Sequence, residues 1–347
     1  MCWDNCIVRM LSKHFKIFAF LVMTVGIFLV YNTTTSSTQI YLNKDKFVNG
    51  SFGNWKNRKL AKSSSPGFGS LILKLFHARS ISDRRSKSSG TLDTKLLSYS
   101  FFGANALKKY EEDIRSVAKE SVKSSLYGRK EGWQVRIYTD VEIPAIFVEE
   151  LQSINPRLSF VNVTGDDGLR GTNAMTWRFT PMSDPSVDVV CFRDLDSPLY
   201  KREEAAVREF LASDSICHVM RDNPNHSSRI MGGMWCLKNK GDRQLAKTLL
   251  KRILQKAQRR VPNVREANKG DDQLVLNTYV WPVIMSNTMV HDSFFCEWPP
   301  GGRPFPTKRH FKEPFVGCAF RPCTFSKKEL RCPHKCRPRL HQDWRYC

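Results

Sequence analysis

The sequence is short of acidic residues. Its 347 residues include 33 Asp and Glu against 55 Lys and Arg, which leaves a formal net charge of +22 at pH 7. An excess of one charge sets solubility and the choice of partners rather than the fold. It suits a nucleic-acid binder, a binder of anionic glycans or a protein of an acidic compartment, and composition alone does not separate these classes.

Repeats and long apolar runs are also scarce. We find no internal repeat, which excludes a solenoid built from copies of one unit. One uncharged apolar run exists, residues 17–31, and the basic residues Arg9, Lys13 and Lys16 precede it. The run is just long enough for a thin bilayer, and no small-residue cleavage site follows it. We therefore predict a type II signal-anchor, with residues 1–16 in the cytosol, over a cleaved signal peptide or a buried core helix.

Two composition changes follow the predicted anchor. Residues 32–91 are rich in Ser, Lys, Arg, Gly and Asn, which predicts a flexible basic stem. From residue 92 strand and helix patterns alternate, which predicts an α/β domain at residues 92–298 with a mainly parallel central sheet flanked by helices. Sequons at three asparagines are compatible with glycosylation in a lumen: Asn49, Asn162 and Asn225.

Cysteine is concentrated near the C-terminus. Six of the 11 cysteines are Cys296, Cys318, Cys323, Cys332, Cys336 and Cys347. In an oxidising lumen this density predicts a disulfide-rich tail at residues 299–347, and the odd total leaves one thiol over. A zinc site is the alternative, but the spacing of Cys323, Cys332, His334 and Cys336 fits no standard zinc pattern.

Charged residues follow a predicted buried strand in the segment VVCFRDLDSPLY, residues 189–200. On an extended chain, residues two apart point to the same side, so Asp194 and Asp196 are expected to face one site. Carboxylate oxygens suit Mg²⁺ or Mn²⁺, which complete their shell with water and substrate phosphate. The alternative is that Asp194 pairs with Arg193 while Asp196 caps the helix that begins near Pro198.

This arrangement resembles the Golgi type II glycosyltransferases of the GT-A fold: a D-x-D motif after an apolar strand, in an α/β domain behind an anchor and a stem, with a cysteine-rich tail. The resemblance spans residues 92–298 and assigns no subfamily. It implies a nucleotide-sugar donor, usually a UDP-sugar, and usually Mn²⁺, which would bridge the donor's two phosphates. It further implies that Asp194 meets the ribose or the metal's shell and that Asp196 binds the metal.

Two further segments resemble features of these families. MVHDS places His291 at the end of a late strand, where a third metal ligand is expected, although a lone His is more often structural. KGDDQLVL supplies Asp272, our first choice, or Asp271 as a base or a sugar contact. Either carboxylate could instead cap the helix that follows.

The segment IMGGMW resembles the acceptor side of such sites. Gly232 and Gly233 would allow a sugar to approach the backbone closely, and Trp235 would offer an aromatic face for stacking. A glycine-containing bulge is the alternative explanation.

Three arginines and two aspartates complete the residues that we predict to contact the donor or the acceptor. Guanidinium groups suit a diphosphate or sugar hydroxyls, and ion pairs within the scaffold explain them almost as well. The residues are Arg178, Arg193, Arg221 with its neighbour Asp222, and Asp140. No clear base-binding motif is present, so UDP versus GDP stays open.

Three competing functions remain. A lumenal sulfotransferase would explain the anchor and the charge, but the segment LLSYSFFGAN has no lysine where its phosphate loop would need one. A non-catalytic sugar-binding module would not need the acidic residues to converge. A nucleic-acid binder is suggested by charge alone. We expect a single-pass glycosyltransferase of the Golgi or endoplasmic reticulum that acts on a hydroxyl of a glycan or glycoprotein, with no nucleic-acid partner.

Overall fold

The computed structural model describes residues 93–169, 171–257, 270–310, 313–318 and 331–347. The predicted cytosolic tail, anchor and stem lie outside the described residues, and the domain boundaries stay predictions. Within the described ranges, no helix combines the length and the apolar content needed to cross a bilayer. All described residues belong to one compact unit.

A seven-stranded sheet forms the centre of the fold, in the order β3-β2-β1-β4-β6-β5-β7. Its strands are β1 Lys95–Phe101, β2 Gln134–Thr139, β3 Leu158–Asn162, β4 Val189–Arg193, β5 Cys217–Arg221, β6 Met234–Lys238 and β7 Thr288–Asp292. Only β6 runs against its neighbours β4 and β5, and every other pairing is parallel. The predicted α/β class with a mainly parallel sheet is therefore confirmed, while the reversed strand was not predicted.

Helices connect and flank the strands. They are α1 Ala106–Lys123, α2 Ala145–Ile154, α3 Lys201–Leu211, α4 Arg243–Ala257, α5 Asp271–Val275 and α6 Trp281–Ile284, with a 3₁₀ segment at Ala174–Ser183 before β4. Helix α1 shows why they pack on the sheet: Ile114, Val117 and Ala118 lie one turn apart and are buried. Polar side chains cover its opposite face.

The sheet separates two apolar clusters because side chains alternate along a strand. On β4, Val189 and Cys191 contribute to one cluster, whereas Val190 and Phe192 contribute to the other. With both faces covered, the carboxyl edge of the parallel strands is where loops can form a site. The chain order reverses between β1 and β4, so this edge has its topological switch point directly beside the end of β4.

Disulfides hold both the sheet and the C-terminal segment. Cys191 of β4 is bonded to the facing Cys236 of β6. In the C-terminal region the structure has the pairs Cys296–Cys336 and Cys332–Cys347, and Cys318 is also disulfide-bonded. Bonded sulfurs do not serve as zinc ligands, so the zinc alternative for the tail is wrong. Within the described part of the chain the leftover thiol is Cys217, which is buried.

Candidate functional site

Arg178 lies between two of the predicted acidic residues at the carboxyl edge. Its Nη1 donates to Asp194 Oδ1 at 2.5 Å, and its Nη2 donates to Asp272 Oδ2 at 2.7 Å. The guanidinium and Asp272 are buried, whereas the Asp194 side chain is 48% exposed. One arginine thus joins the end of β4 to the start of α5, and an open carboxylate remains at the surface beside the switch point.

Gly232 and Gly233 form the wall against which these two carboxylates pack. A Cβ on Gly232 would lie 2.1 Å from Asp272 Oδ2, and one on Gly233 would lie 2.2 Å from Asp194 Oδ2. A Cβ at either position would force a neighbouring group to move. The sequence predicted that a sugar approaches these glycines, whereas the groups that approach them in the structure are the protein's own carboxylates.

The charges of this cluster stabilise one another. Partial burial by itself would raise the pKa of Asp194, but the charge and the hydrogen bond of Arg178 hold it below its ordinary value. Burial by itself would lower the pKa of Arg178, but Asp194 and Asp272 together raise it. Two carboxylates thus share one guanidinium, and Asp196, two residues on from Asp194, is exposed. The cluster is net negative and attracts a cation.

The D-x-D segment itself differs from the prediction. Strand β4 ends at Arg193, and Asp194 to Ser197 form a turn closed by the bond from the Ser197 amide to the Asp194 carbonyl at 3.2 Å. Alternation along a strand therefore does not govern Asp194 and Asp196, and the argument from an extended chain was wrong. The alternatives also fail, because Asp194 pairs with Arg178, and α3 has no side-chain cap at its start.

Arg193 is wholly buried beneath this turn and cannot contact a donor directly. It is paired with Glu203 at 2.8 Å, and its Nη1 donates to the Gly233 carbonyl at 3.1 Å. Its Nη2 donates to the Ser197 hydroxyl and the Pro198 carbonyl, each at 3.2 Å. The predicted donor contact is replaced by a positioning role, since Arg193 holds the D-x-D turn and the glycine wall together.

Asp222 is likewise part of the scaffold, although the sequence placed it at the donor sugar. Arg202 binds both of its carboxylate oxygens, at 2.9 and 3.1 Å, and the Val316 amide donates to Oδ2 at 3.1 Å. Arg221 is also buried, and its Nε donates to Asp292 Oδ2 at 2.7 Å. Asp222 has no accessible face for a sugar.

His291 does not join the acidic cluster. Its Nδ1 lies 2.7 Å from Nε2 of His218, and its Nε2 lies 3.2 Å from Glu209 Oε2. Strand β7, which carries it, is three strands away from β4. Both ring nitrogens are engaged inside the protein, so the prediction of a third metal ligand is wrong.

Trp235 is buried in the sheet rather than offered to a sugar. Its ring packs against Phe192 with centroids 4.4 Å apart and against Phe179 at 5.7 Å. Trp235 is the second residue of β6, which starts at Met234, and its side chain is fully buried in the core. The predicted stacking surface is therefore wrong at this residue.

Two predicted residues lie in the loops around the cluster. Asp140 follows β2. Its Oδ1 accepts a hydrogen bond of 3.0 Å from the amide of Gly103, which lies in the loop after β1. Asp271 begins α5, and its Oδ2 accepts Nδ2 of Asn173 at 3.2 Å. The N-cap position of α5 is Gly270, and Asp271 and Asp272 lie in the first turn of the helix.

Sequence analysis assigned no role to His226, yet this residue lies close to Asp194 and Asp222. Burial lowers its pKa to about 4, although the negative charges of these two carboxylates act to raise it. Phe315 of the C-terminal segment packs edge-on against its ring, with centroids 5.3 Å apart. Nothing in the spacing of His226 along the chain points to this placement.

The residues present fit a divalent cation bound partly by substrate. Within the part of the chain that the structure describes, no three His, Cys, Asp or Glu side chains group together as a metal site. Mg²⁺ and related ions do not need such a group, because they bind through one or two carboxylates and take substrate phosphate and water for the rest. The half-exposed Asp194 and the exposed Asp196 supply that donor set.

No family model and no curated protein matches the chain. Its structure is similar to a mannosyltransferase of Pyrobaculum calidifontis solved with GDP-Man and Mn²⁺, at 15% identity and a TM-score of 0.35, covering 65% of this chain and 62% of that one. It is also similar to mouse xyloside xylosyltransferase 1, at 12% identity and a TM-score of 0.37, covering 60% of this chain and 89% of that one.

A third similar structure is core-mannan synthase A of Aspergillus fumigatus in an Mn/GDP form, at 8% identity and a TM-score of 0.35, covering 59% of this chain and 74% of that one. Likeness at these identities concerns the fold and not the activity. The mainly parallel α/β class follows from the strand order and pairing themselves, and these similarities, at TM-scores of 0.37 or less, add no argument to it.

Proposed function

We propose that the protein is a metal-dependent glycosyltransferase that moves a sugar from a nucleotide-sugar to a hydroxyl of a glycan or glycoprotein. One observation carries the proposal: Arg178 is clamped between Asp194 and Asp272 against a glycine wall, at the carboxyl edge beside the switch point. A buried arginine with two carboxylates could be scaffold alone. Here, however, Asp194 is half exposed and Asp196 is exposed, so charge is presented to a ligand.

The donor would lie between the loops that follow β1 and β4, because ligands of open α/β sheets bind at the switch point. Gly103, at a φ of 101° that only glycine adopts readily, shapes the first loop and is held by Asp140. Asp194 and Asp196 form the second loop. We take a UDP-sugar with Mn²⁺ or Mg²⁺ as the first combination to test, since the site does not identify the base.

A bound metal would neutralise the charge that grows on the departing nucleoside diphosphate. Asp194 and Asp196 would hold it. Arg178 orients Asp194, and Asp272 in turn orients Arg178, so Asp272 acts as a positioning residue with its Oδ2 already engaged. Because Asp272 is buried and Asp271 is partly exposed, we prefer Asp271 as the group that receives the acceptor's proton, in reverse of the preference from sequence.

We further propose that the site faces the lumen of the Golgi or endoplasmic reticulum behind a type II anchor at residues 17–31. Disulfides at Cys191–Cys236, Cys296–Cys336 and Cys332–Cys347 support an oxidising compartment. The anchor lies outside the described residues and rests on its sequence alone.

The test is hydrolysis and binding of a panel of nucleotide-sugars by the full-length chain, with Mn²⁺ and with a chelator. We expect one donor to be turned over only with metal. Asp194→Asn and Asp196→Asn should each lower turnover about 100-fold, since each removes charge that binds the metal. Asp93→Asn is the matched control, because Asp93 is similarly exposed, at 46%, and pairs with Lys240 near the start of β1, at the opposite edge of the sheet.

Metal-independent transfer of a sulfuryl group would instead indicate the sulfotransferase. If the folded protein binds sugars but neither binds nor hydrolyses any donor with metal, the protein is a sugar-binding module and the enzyme proposal is wrong.

A further inference from the structure

A second charged cluster, this one cationic, lies on the same edge of the sheet. It consists of Arg221 at the end of β5, Arg229 in the loop before the glycine wall, and Trp298 after β7. The Trp298 ring packs over both guanidinium groups, with its centroid 5.4 Å from Cζ of Arg221 and 4.4 Å from Cζ of Arg229. We call these three residues the Arg221–Arg229 cluster.

The hydrogen bonds of this cluster are incomplete. Arg221 is wholly buried; its Nε donates to Asp292 Oδ2 at 2.7 Å and its Nη1 to the Arg229 carbonyl at 2.8 Å. Its Nη2 is buried and has no hydrogen-bond partner among the described residues, and the same is true of Nη1 of Arg229. Buried donors without acceptors are unfavourable, so a group that accepts from both nitrogens would stabilise the cluster.

Other buried arginines of the described chain do not share this feature. Arg178, Arg193 and Arg309 each leave only Nε without a partner, while their terminal nitrogens are bonded. Nε is the inner nitrogen and often lies against the scaffold. Buried, unpartnered terminal nitrogens, the ones that grip an oxyanion as a fork, occur in the described part only at Arg221 and Arg229.

The charges point in the same direction. The two guanidinium groups repel each other, and Asp292 is the carboxylate hydrogen-bonded to Arg221. The cluster therefore carries surplus positive charge inside the protein, which a bound anion would neutralise.

The cluster is continuous with the acceptor side of the proposed site. Arg229 stands three residues before Gly232, and the next residue, Ile230, is held through its amide and its carbonyl by Asn277. Asn277 follows α5, which carries Asp272. Asp292 also fixes the chain that leads to Trp298, because its Oδ1 accepts the amide of Phe294 at 2.8 Å.

We propose that the Arg221–Arg229 cluster binds the anionic group of an acceptor sugar, a carboxylate or a sulfate ester. Assignment of that sugar as an acceptor rests on the proposed function, whereas oxyanion binding does not. The oxyanion accepts from Nη2 of Arg221 and Nη1 of Arg229. Since both nitrogens are shielded from solvent, the partly exposed Trp298 shifts to admit the anion and then offers its face to the sugar ring.

The experiment measures the Tm of the full-length chain with sodium glucuronate, with glucose 6-sulfate, and with glucose in NaCl of equal ionic strength. We expect at least one anionic sugar to raise Tm above the glucose control. In Arg229→Gln the dissociation constant for that sugar should rise about tenfold, the loss of one charge-assisted hydrogen bond. Arg229→Lys should lie between, since it keeps charge but loses the fork. Arg252→Gln, an exposed arginine of α4, is the matched control.

Each other outcome decides the matter. Equal responses to glucose and to both anionic sugars, or an unchanged response in Arg229→Gln, would show that the cluster is not an anion subsite. UDP binding with Mn²⁺ is measured in parallel: if Arg229→Gln weakens it as much as it weakens anionic-sugar binding, the arginines serve the donor's diphosphate and the acceptor assignment is wrong. Anionic-sugar binding through Arg229 without any metal-dependent nucleotide binding would keep the subsite and refute the glycosyltransferase.

Discussion

At the scale of single residues, Gly232 and Gly233 differ in the atoms that a Cβ added at each position would contact. A Cβ on Gly233 would meet the Asp194 carboxylate and also its backbone nitrogen, at 2.7 Å. A Cβ on Gly232 would meet the ends of the Asp272 and Arg178 side chains, which can shift. We expect Gly233→Ala to destabilise the fold by about 1–3 kcal/mol and to abolish metal-dependent nucleotide binding, whereas Gly232→Ala should weaken binding less.

Denaturant unfolding and UDP binding with Mn²⁺ would measure both effects. Gly165→Ala is the control, because nothing lies within 4 Å of its Cβ position. Equal effects of the two wall substitutions would contradict this account of the turn at Asp194.

His226 makes stability depend on pH. Its folded pKa is lowered to about 4, mainly by burial, from an ordinary value of 6.5. Between these values the unfolded chain binds the proton and the folded chain does not, so this contribution to stability is complete above pH 6.5 and is lost as pH falls towards 4. We expect wild type to lose roughly 3 kcal/mol over this interval relative to His226→Gln.

The measurement is denaturant unfolding at several pH values. Because the pKa values of His218 and His291 are also lowered by burial, the difference between wild type and variant is the quantity to follow. His310→Gln, at an exposed histidine, reports the general effect of removing an imidazole. Parallel stability curves for wild type and His226→Gln would contradict the prediction.

The sequence predicted individual site residues better than it predicted their partners. Asp194 and the glycine pair stood out because acids after a buried strand and adjacent glycines are unusual in themselves. Their contacts were hidden, because Arg178 and Asp272 are 94 residues apart and meet only once the sheet has formed. Trp235 and His291 were misplaced for a similar reason: burial depends on neighbouring strands, and the sequence shows only the residue type.

At the scale of elements, the pairing of β4 with β6 holds the site together. The Cys191–Cys236 disulfide joins facing residues of the two strands and closes a sequence separation of 45 residues. Asp194 follows Cys191 by three residues, and Gly233 precedes Cys236 by three. The disulfide therefore fixes the two sides of the site relative to each other.

Replacing both Cys191 and Cys236 by Ala should lower the free energy of unfolding by about 2–4 kcal/mol, since the unfolded chain is no longer constrained. It should also weaken UDP binding with Mn²⁺. Unfolding without reductant measures the first effect and calorimetry the second. Cys217→Ala is the control, because it removes a buried sulfur that forms no disulfide. A double variant as stable as this control would contradict the role of the disulfide.

The strand and helix order followed from the sequence because apolar periods of two and of three to four residues alternate from β1 onwards. The antiparallel direction of β6 could not be predicted from the sequence. Its apolar pattern is the same whichever way the strand runs, and direction is set by which neighbours it pairs with. The turn at Asp194 was missed for a related reason, since the point where β4 ends depends on Arg193 bonding back to Ser197 and Pro198.

At the scale of the whole molecule, the charge of the chain and the charge of the site have opposite sign. The chain carries a formal +22, yet at the site Asp194 and Asp272 share the single guanidinium of Arg178. A negative site in a cationic chain agrees with the proposed metal-dependent enzyme, because the net charge of the chain would favour an anionic substrate and the carboxylates would favour a cation. The overall charge alone did not separate a nucleic-acid binder, a binder of anionic glycans and a protein of an acidic compartment.

The compartment can be tested on the molecule itself. Two of the predicted sequons, at Asn162 and Asn225, have exposed asparagines, the first at the end of β3 and the second in the loop after β5. If the domain faces the lumen, both side chains are accessible to glycosylation, and the full-length chain made in animal cells should migrate faster on a gel after enzymatic deglycosylation. Asn162→Gln and Asn225→Gln should each remove part of that shift. If no sequon carries a glycan and the Cys191 and Cys236 thiols are not joined in a disulfide, the domain lies in the cytosol. N-glycosylation and stable disulfides belong to the secretory pathway.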